Sequence, residues 1–137
     1  MAAIEQAMVS KILNSTTSAT AFTTLTTGFK VRLNSTASTA SAAGTEIASG
    51  GGYTTGGQTS TAPFASTSSA GSAVTIPHTA VLTWTNSSGG AWSIVSLDLT
   101  DGAGVRTWFG NFNGQPISVA SGNTFQIALD AISISLT

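Results

Sequence analysis

An antiparallel all-β fold is what this sequence predicts, on three observations. Short segments alternate apolar and polar side chains with period two, the mark of a half-buried strand. Clusters of Gly, Asn, Asp, Ser and Pro punctuate those segments at the spacing of turns. The gaps between segments in the second half suit hairpins rather than helical crossovers. About eight or nine short strands result, and both an antiparallel β-sandwich and a partly closed barrel accommodate them.

The first element is the exception. Residues 2–13 place Ile4, Met8 and Ile12 at i, i+4 and i+8, with Leu13 alongside and Glu5, Gln6 and Lys11 off the stripe, which predicts a short helix ending at Asn14-Ser15. Residues 1–14 thus form a separate N-terminal element, and 15–137 a single β domain. A helix this short is marginal alone and needs a surface to pack on. Its own sheet and a partner are both open as that surface.

The β domain begins with a Thr-rich lead-in, 15–28. The stretch "FKVRLN" (29–34) sets Phe29, Val31 and Leu33 on one face and Lys30 and Arg32 on the other. Residues 35–44, "STASTASAAG", carry no core residue and read as a loop. In "TEIASGGGY" (45–53), Gly50, Gly51 and Gly52 precede the only tyrosine, Tyr53. Glycine supplies positive φ and close backbone approach, so a tight turn or bulge is expected that aims Tyr53 into a new strand. Residues 54–71 hold one large apolar group, Phe64, and read as a long surface loop or poorly ordered strands.

Strands are expected in "AVTIP" (73–77), "AVLTWT" (80–85), "AWSIVSLDL" (91–99), "VRTWFGNF" (105–112), "ISVA" (117–120), "TFQIALD" (124–130) and "AISISLT" (131–137). "NSSGG", "TDGAG" and "NGQP" turn the chain between them. Trp84 shares a parity with Leu82, and Trp92 with Ile94, which favours burial of both indoles. Trp108 is less determined, because Val105, Thr107 and Phe109 take the opposite face. If both faces of 105–112 are covered, the second is expected to meet another subunit.

Composition narrows the function classes. Charged residues are 7% of the chain, against roughly 25% in an average soluble domain. Lys11, Lys30, Arg32 and Arg106 are the only cations and the net charge is −1, so no basic field exists to hold nucleic acid. A surface of Ser, Thr, Asn and Gly has little repulsion to keep copies apart. There is no cysteine, which excludes disulfides and thiolate metal sites. The N-terminal stretch lacks the layout of a signal peptide, and no apolar run is long enough to span a membrane. Asn14, Asn34 and Asn86 each begin an N-x-S/T triplet, read as chance in so Ser/Thr-rich a chain.

No catalytic constellation emerges. Gly50–Gly52 leads into a β-prone stretch without the Lys and helix that a phosphate loop requires. His78, the only histidine, follows Pro77 at a strand junction with no orienting carboxylate in view. Asp98 and Asp101-Gly102 lack the oxygen density of a cation loop, and Asp101-Gly102 is a turn signal. The sequence therefore predicts a non-enzyme, with no cofactor and no metal.

The chain resembles the small β-sandwich virion proteins of tailed bacteriophages, a group of head decoration and minor tail proteins. The resemblance rests on the short N-terminal helix, a strand like "FKVRLN", the acidic-apolar pair and glycine triplet of "TEIASGGGY", and the segment from "VLTWTNSSGG" to the C-terminus. It implies a structural role, with the protein seated as a homotrimer on the major capsid protein, in virions assembled in the host cytoplasm, without nucleic-acid or membrane partners. The helix around Ile4, Met8 and Ile12, or the sparse loops, is the candidate docking element, and Tyr53 and Trp108 are further candidate interface residues. The alternative is a tail-associated module that binds host-surface glycan through Tyr53 or Trp108.

Overall fold

The computed structural model describes residues 2–4, 30–59, 73–75, 81–113, 116–128 and 133–135. Eleven strands form there: β1 (Ala2–Ile4), β2 (Lys30–Asn34), β3 (Gln58–Thr59), β4 (Ala73–Thr75), β5 (Leu82–Thr85), β6 (Trp92–Ile94), β7 (Ser96–Thr100), β8 (Arg106–Asn111), β9 (Ile117–Val119), β10 (Thr124–Ile127) and β11 (Ser133–Ser135). Seven of them build one sheet in the order β3-β2-β7-β8-β1-β11-β4. The pairs β10-β5 and β6-β9 form two smaller sheets. Every pairing is antiparallel except β1 with β11. The fold class is all-β, as the alternating segments predict.

The N-terminus departs from expectation. Ala2–Ile4 is not the first turn of a helix but a strand, pairing Ala2, Ala3 and Ile4 with Gly110, Phe109 and Trp108. Ala-Ala-Ile has no strong commitment of its own, and a ladder position beside β8 outweighs the weak helical preference. Met8 and Ile12 lie outside the described residues, as do 15–28.

One expected strand is two. "AWSIVSLDL" breaks at Val95, whose N–H donates to the Asn34 carbonyl at 2.8 Å and whose carbonyl accepts from Phe112 N–H at 2.9 Å. The chain thereby leaves the β6-β9 pair and enters the large sheet as β7. Of the weak stretch 54–71, Gln58–Thr59 joins the sheet edge opposite Lys30 and Val31.

The register of β2 on β7 sets two faces. Val31 opposes Leu99 and Leu33 opposes Leu97, while Arg32 opposes Asp98 and Asn34 opposes Ser96. The apolar face carries the core, where Val31, Leu33 and Leu99 meet Ile47, Tyr53, Leu82, Trp84, Trp92, Ile94, Val119 and Ile127. Trp84 and Trp92 are both buried there, as their parity predicts. The other face is polar yet also buried: Asn34, Ser96, Asp98 and Thr100 are all closed to solvent. Loop 35–44 lies over this polar face.

Between β7 and β8 the register shifts at Leu99/Thr100, leaving Thr107 as an extra residue on β8. Its hydroxyl donates to the Leu99 carbonyl at 3.0 Å, closing the bulge. The hairpin turn uses Asp101 as the sequence predicts. Its carboxylate accepts from Val105 N–H at 2.8 Å, and Gly104 N–H donates to its carbonyl.

Candidate functional site

The glycine triplet makes a two-residue hairpin. Gly50 and Tyr53 exchange backbone hydrogen bonds of 2.8 and 3.2 Å, and Gly51 and Gly52 between them have φ of 57° and 89°. Two successive positive φ values are what a tight hairpin of this kind demands. Space requires glycine as well: a Cβ on Gly52 would overlap the Thr85 carbonyl oxygen, and one on Gly51 would overlap Ser88. The hairpin rests on the turn after β5, where Ser87 N–H donates to the Gly51 carbonyl at 2.8 Å.

Tyr53 therefore points inward. The residue is 2% exposed, and its ring meets Trp92 edge-on with centroids 6.2 Å apart. Its hydroxyl donates to Glu46 Oε1 at 2.7 Å and accepts from Leu33 N–H at 3.1 Å. Ile47 N–H donates to the Leu33 carbonyl, and Asn34 bridges to Glu46. A side-chain oxygen thus fills the one rung of the β2 edge that lies between β3 and segment 46–47. Burial pushes the hydroxyl pKa well above its ordinary value; the Glu46 carboxylate adds to this, and the Leu33 N–H acts against it. Glu46 Oε1 also accepts from Gly56 N–H at 2.6 Å, which fixes the carboxylate on both sides.

An open groove of about 680 Å³ runs between segment 45–51 and residues 88–93, with Glu46, Ser49, Ser88, Trp92 and Ser93 among its walls. Trp92 is 6% exposed, so the groove offers no indole face broad enough for a sugar to stack on.

On the opposite face of the sheet sits a cluster that sequence reasoning missed. Asp98 is 0% exposed. Its Oδ2 accepts from Arg32 at 3.0 Å, its Oδ1 accepts from the Ser38 hydroxyl at 2.8 Å, and Arg106 stands 3.9 Å away. Arg106 also covers the Phe109 ring, 5.3 Å from its centroid, and donates to the carbonyls of Ala42 and Thr39 at 2.7 and 2.8 Å. Asn34 donates to Ser38 and Ser96, and the Ser96 hydroxyl donates to the Thr36 carbonyl. The signal was present in "FKVRLN" and "SLDL", each with a charge between apolar residues. Nothing in the sequence states that these two strands are neighbours in register.

Of the sequence-predicted interface residues, the structure describes Ile4, Tyr53 and Trp108. Ile4 pairs with Trp108 in the ladder, and Trp108 is half-buried against the core. Both faces of β8 are covered within the chain, since Thr107 and Phe109 are buried too. Tyr53 is likewise inside and not at a surface. Gly50, Gly51 and Gly52 act on backbone geometry, as expected. Asn34 and Asn86 are both 0% exposed, so neither triplet presents an acceptor amide. Asn86 donates to the Gly90 and Val119 carbonyls and accepts from the Ser88 N–H and hydroxyl. Asn14 and His78 lie outside the described residues.

Asp98 is locked by an arginine and a serine, and one Glu46 oxygen by a tyrosine and a backbone amide. Among the described residues no group of three or more His, Cys, Asp or Glu is placed to hold a metal ion. Comparison of the chain with protein-family models, with curated proteins and with solved structures found no match.

Proposed function

We propose that the protein is a non-enzymatic structural component of a tailed-phage virion. It seats on the outer capsid lattice as a decoration protein and stabilises the shell. The observation that carries this reading is the use of charge. Glu46, Asp98, Arg32 and Arg106 are spent on internal bonds that fix loops to sheets. Among the described residues the exposed ones are mostly Ser, Thr, Gly and Ala, with Lys30 and Asp101 only partly exposed. Such a surface suits dense packing of copies, where many modest contacts repeated by symmetry give avidity. The resemblance of "TEIASGGGY" and the C-terminal half to phage virion proteins points the same way. In this reading the large sheet and the smaller pairs close over the shared core as an antiparallel sandwich, three copies assemble on the major capsid protein, and assembly takes place in the host cytoplasm.

The alternative, a tail module that binds host-surface glycan, has less behind it. Its two aromatic candidates, Tyr53 and Trp108, are buried in the core and packed against it, respectively.

The docking element in this reading is the N-terminal stripe of Met8 and Ile12. A Met8→Glu/Ile12→Glu double variant is expected to keep the unfolding temperature of the free protein and lose occupancy on purified shells. Shells lacking the protein are expected to melt at lower temperature and to recover on adding it back. Failure of the wild-type protein to co-sediment with shells would remove the decoration reading.

A further inference from the structure

Loop 35–45 has a construction unlike the rest of the chain. Of residues 36–44, only Ser38 is buried, at 1% exposure. None of them contributes an apolar side chain to the core. Its base is pinched shut: Ser35 N–H donates to the Thr45 carbonyl at 2.7 Å, Thr45 N–H donates to the Thr36 hydroxyl at 2.7 Å, and Asn34 bridges to Glu46. A compact loop with its ends held together is an Ω-loop.

What holds it down is polar throughout. Ser38 N–H donates to Asn111 Oδ1 and Asn111 donates back to the Ser38 carbonyl, both at 2.9 Å. The Ser38 hydroxyl donates to Asp98 and accepts from Gly44 N–H at 2.8 Å. Arg106 reaches the carbonyls of Thr39 and Ala42. Each of these groups can exchange its partner for water when the loop lifts. The apolar core lies on the other face of the sheet and is untouched by that movement.

We propose that residues 36–44 are a latch that opens as a unit while the sheet stays folded, uncovering the Arg32–Asp98 ion pair beneath it. Ser38 is the bolt: one side chain and its own backbone join the loop to Asp98, Asn34 and Asn111 at once. The latch is a property of the free chain and does not depend on the virion reading.

Native-state hydrogen exchange tests it on the intact protein. The amides of Ser38 and Gly44 are expected to exchange about a hundredfold or more faster than those of Leu33 and Phe112, with little dependence on denaturant, as a local opening does. Ile94→Val, a change in the core alone, should speed Leu33 and Phe112 and leave Ser38 and Gly44 unchanged. Ser38→Ala should speed its own loop's amides by about tenfold or more, because it removes the charge-assisted bond to Asp98 and the acceptor of Gly44 N–H and Asn34. A shared rate and denaturant slope for both pairs of amides, or equal acceleration of both by Ile94→Val, would mean that the loop opens only when the whole protein unfolds, and would overturn the proposal.

Discussion

Tyr53 concentrates several demands in one side chain. It fills core volume with its ring and completes a strand edge with its hydroxyl. Removing that oxygen leaves the buried Leu33 N–H without its partner and takes one of two donors from Glu46 Oε1. Tyr53→Phe should therefore destabilise the protein by about 1–3 kcal/mol, the cost of a buried group left unpaired, in a denaturant titration. The same hydroxyl sets an alkaline limit. Its folded-state pKa lies above the unfolded one, so the unfolded chain releases this proton first as pH rises. Tyr53's contribution is fully present below the ordinary tyrosine value of about 10 and is lost above it, at up to about 1.4 kcal/mol per pH unit. Because Tyr53 is the only tyrosine, tyrosinate absorbance reports on it alone. That absorbance should stay flat past the ordinary value and rise together with loss of the fold. Gly52 is a second test at this scale. Gly52→Ala should cost more than the roughly 1–2 kcal/mol of left-handed backbone alone, because its Cβ meets the Thr85 carbonyl oxygen. The turn itself was legible in "SGGGY". The inward direction of Tyr53 was not, since a single aromatic after a glycine run carries no period from which to read a face.

The elements were legible where period two is undisturbed. "LTWT" and "TFQI" pair as β5 and β10, with Leu82, Trp84 and Ile127 buried. "VRTWFGNF" left Trp108 undetermined, and the extra residue Thr107 breaks the alternation between Arg106 and Trp108. A bulge resets which side chains face the core, and no residue type announces it. Ala2–Ile4 misled, as a three-residue strand has too few side chains for its period to compete with an apparent helical stripe. Loop 35–44 looked featureless because it is tied down by Ser38 and by backbone carbonyls rather than by apolar anchors. The arginines and Asp98 that hold it are distant in sequence. Asp98→Ala should cost about 3–5 kcal/mol, since it strands Arg32 in a desolvated face. A combined Arg32→Met/Asp98→Leu variant should recover much of that loss. Thermal unfolding of the two variants side by side measures the difference.

At the scale of the whole molecule, Glu46, Asp98, Arg32 and Arg106 are turned to internal bonds, and the exposed residues among those described are mostly small and uncharged. That division is unusual for a free soluble domain, which uses surface charge to keep copies apart. It is what a component of a crowded lattice tolerates, and it is the physical core of the structural reading. Composition alone made this half legible: 7% charge and no cysteine were visible before any fold. Where the remaining charges go was not, because strand order decides it. The measurement that tests the central claim most directly is the copy number of this protein in purified virions, relative to the major shell protein. The account predicts a ratio near that of the shell subunit itself, as for a protein spread over the capsid lattice. A ratio far below it would move the protein to the tail, and its absence from virions would contradict the structural role.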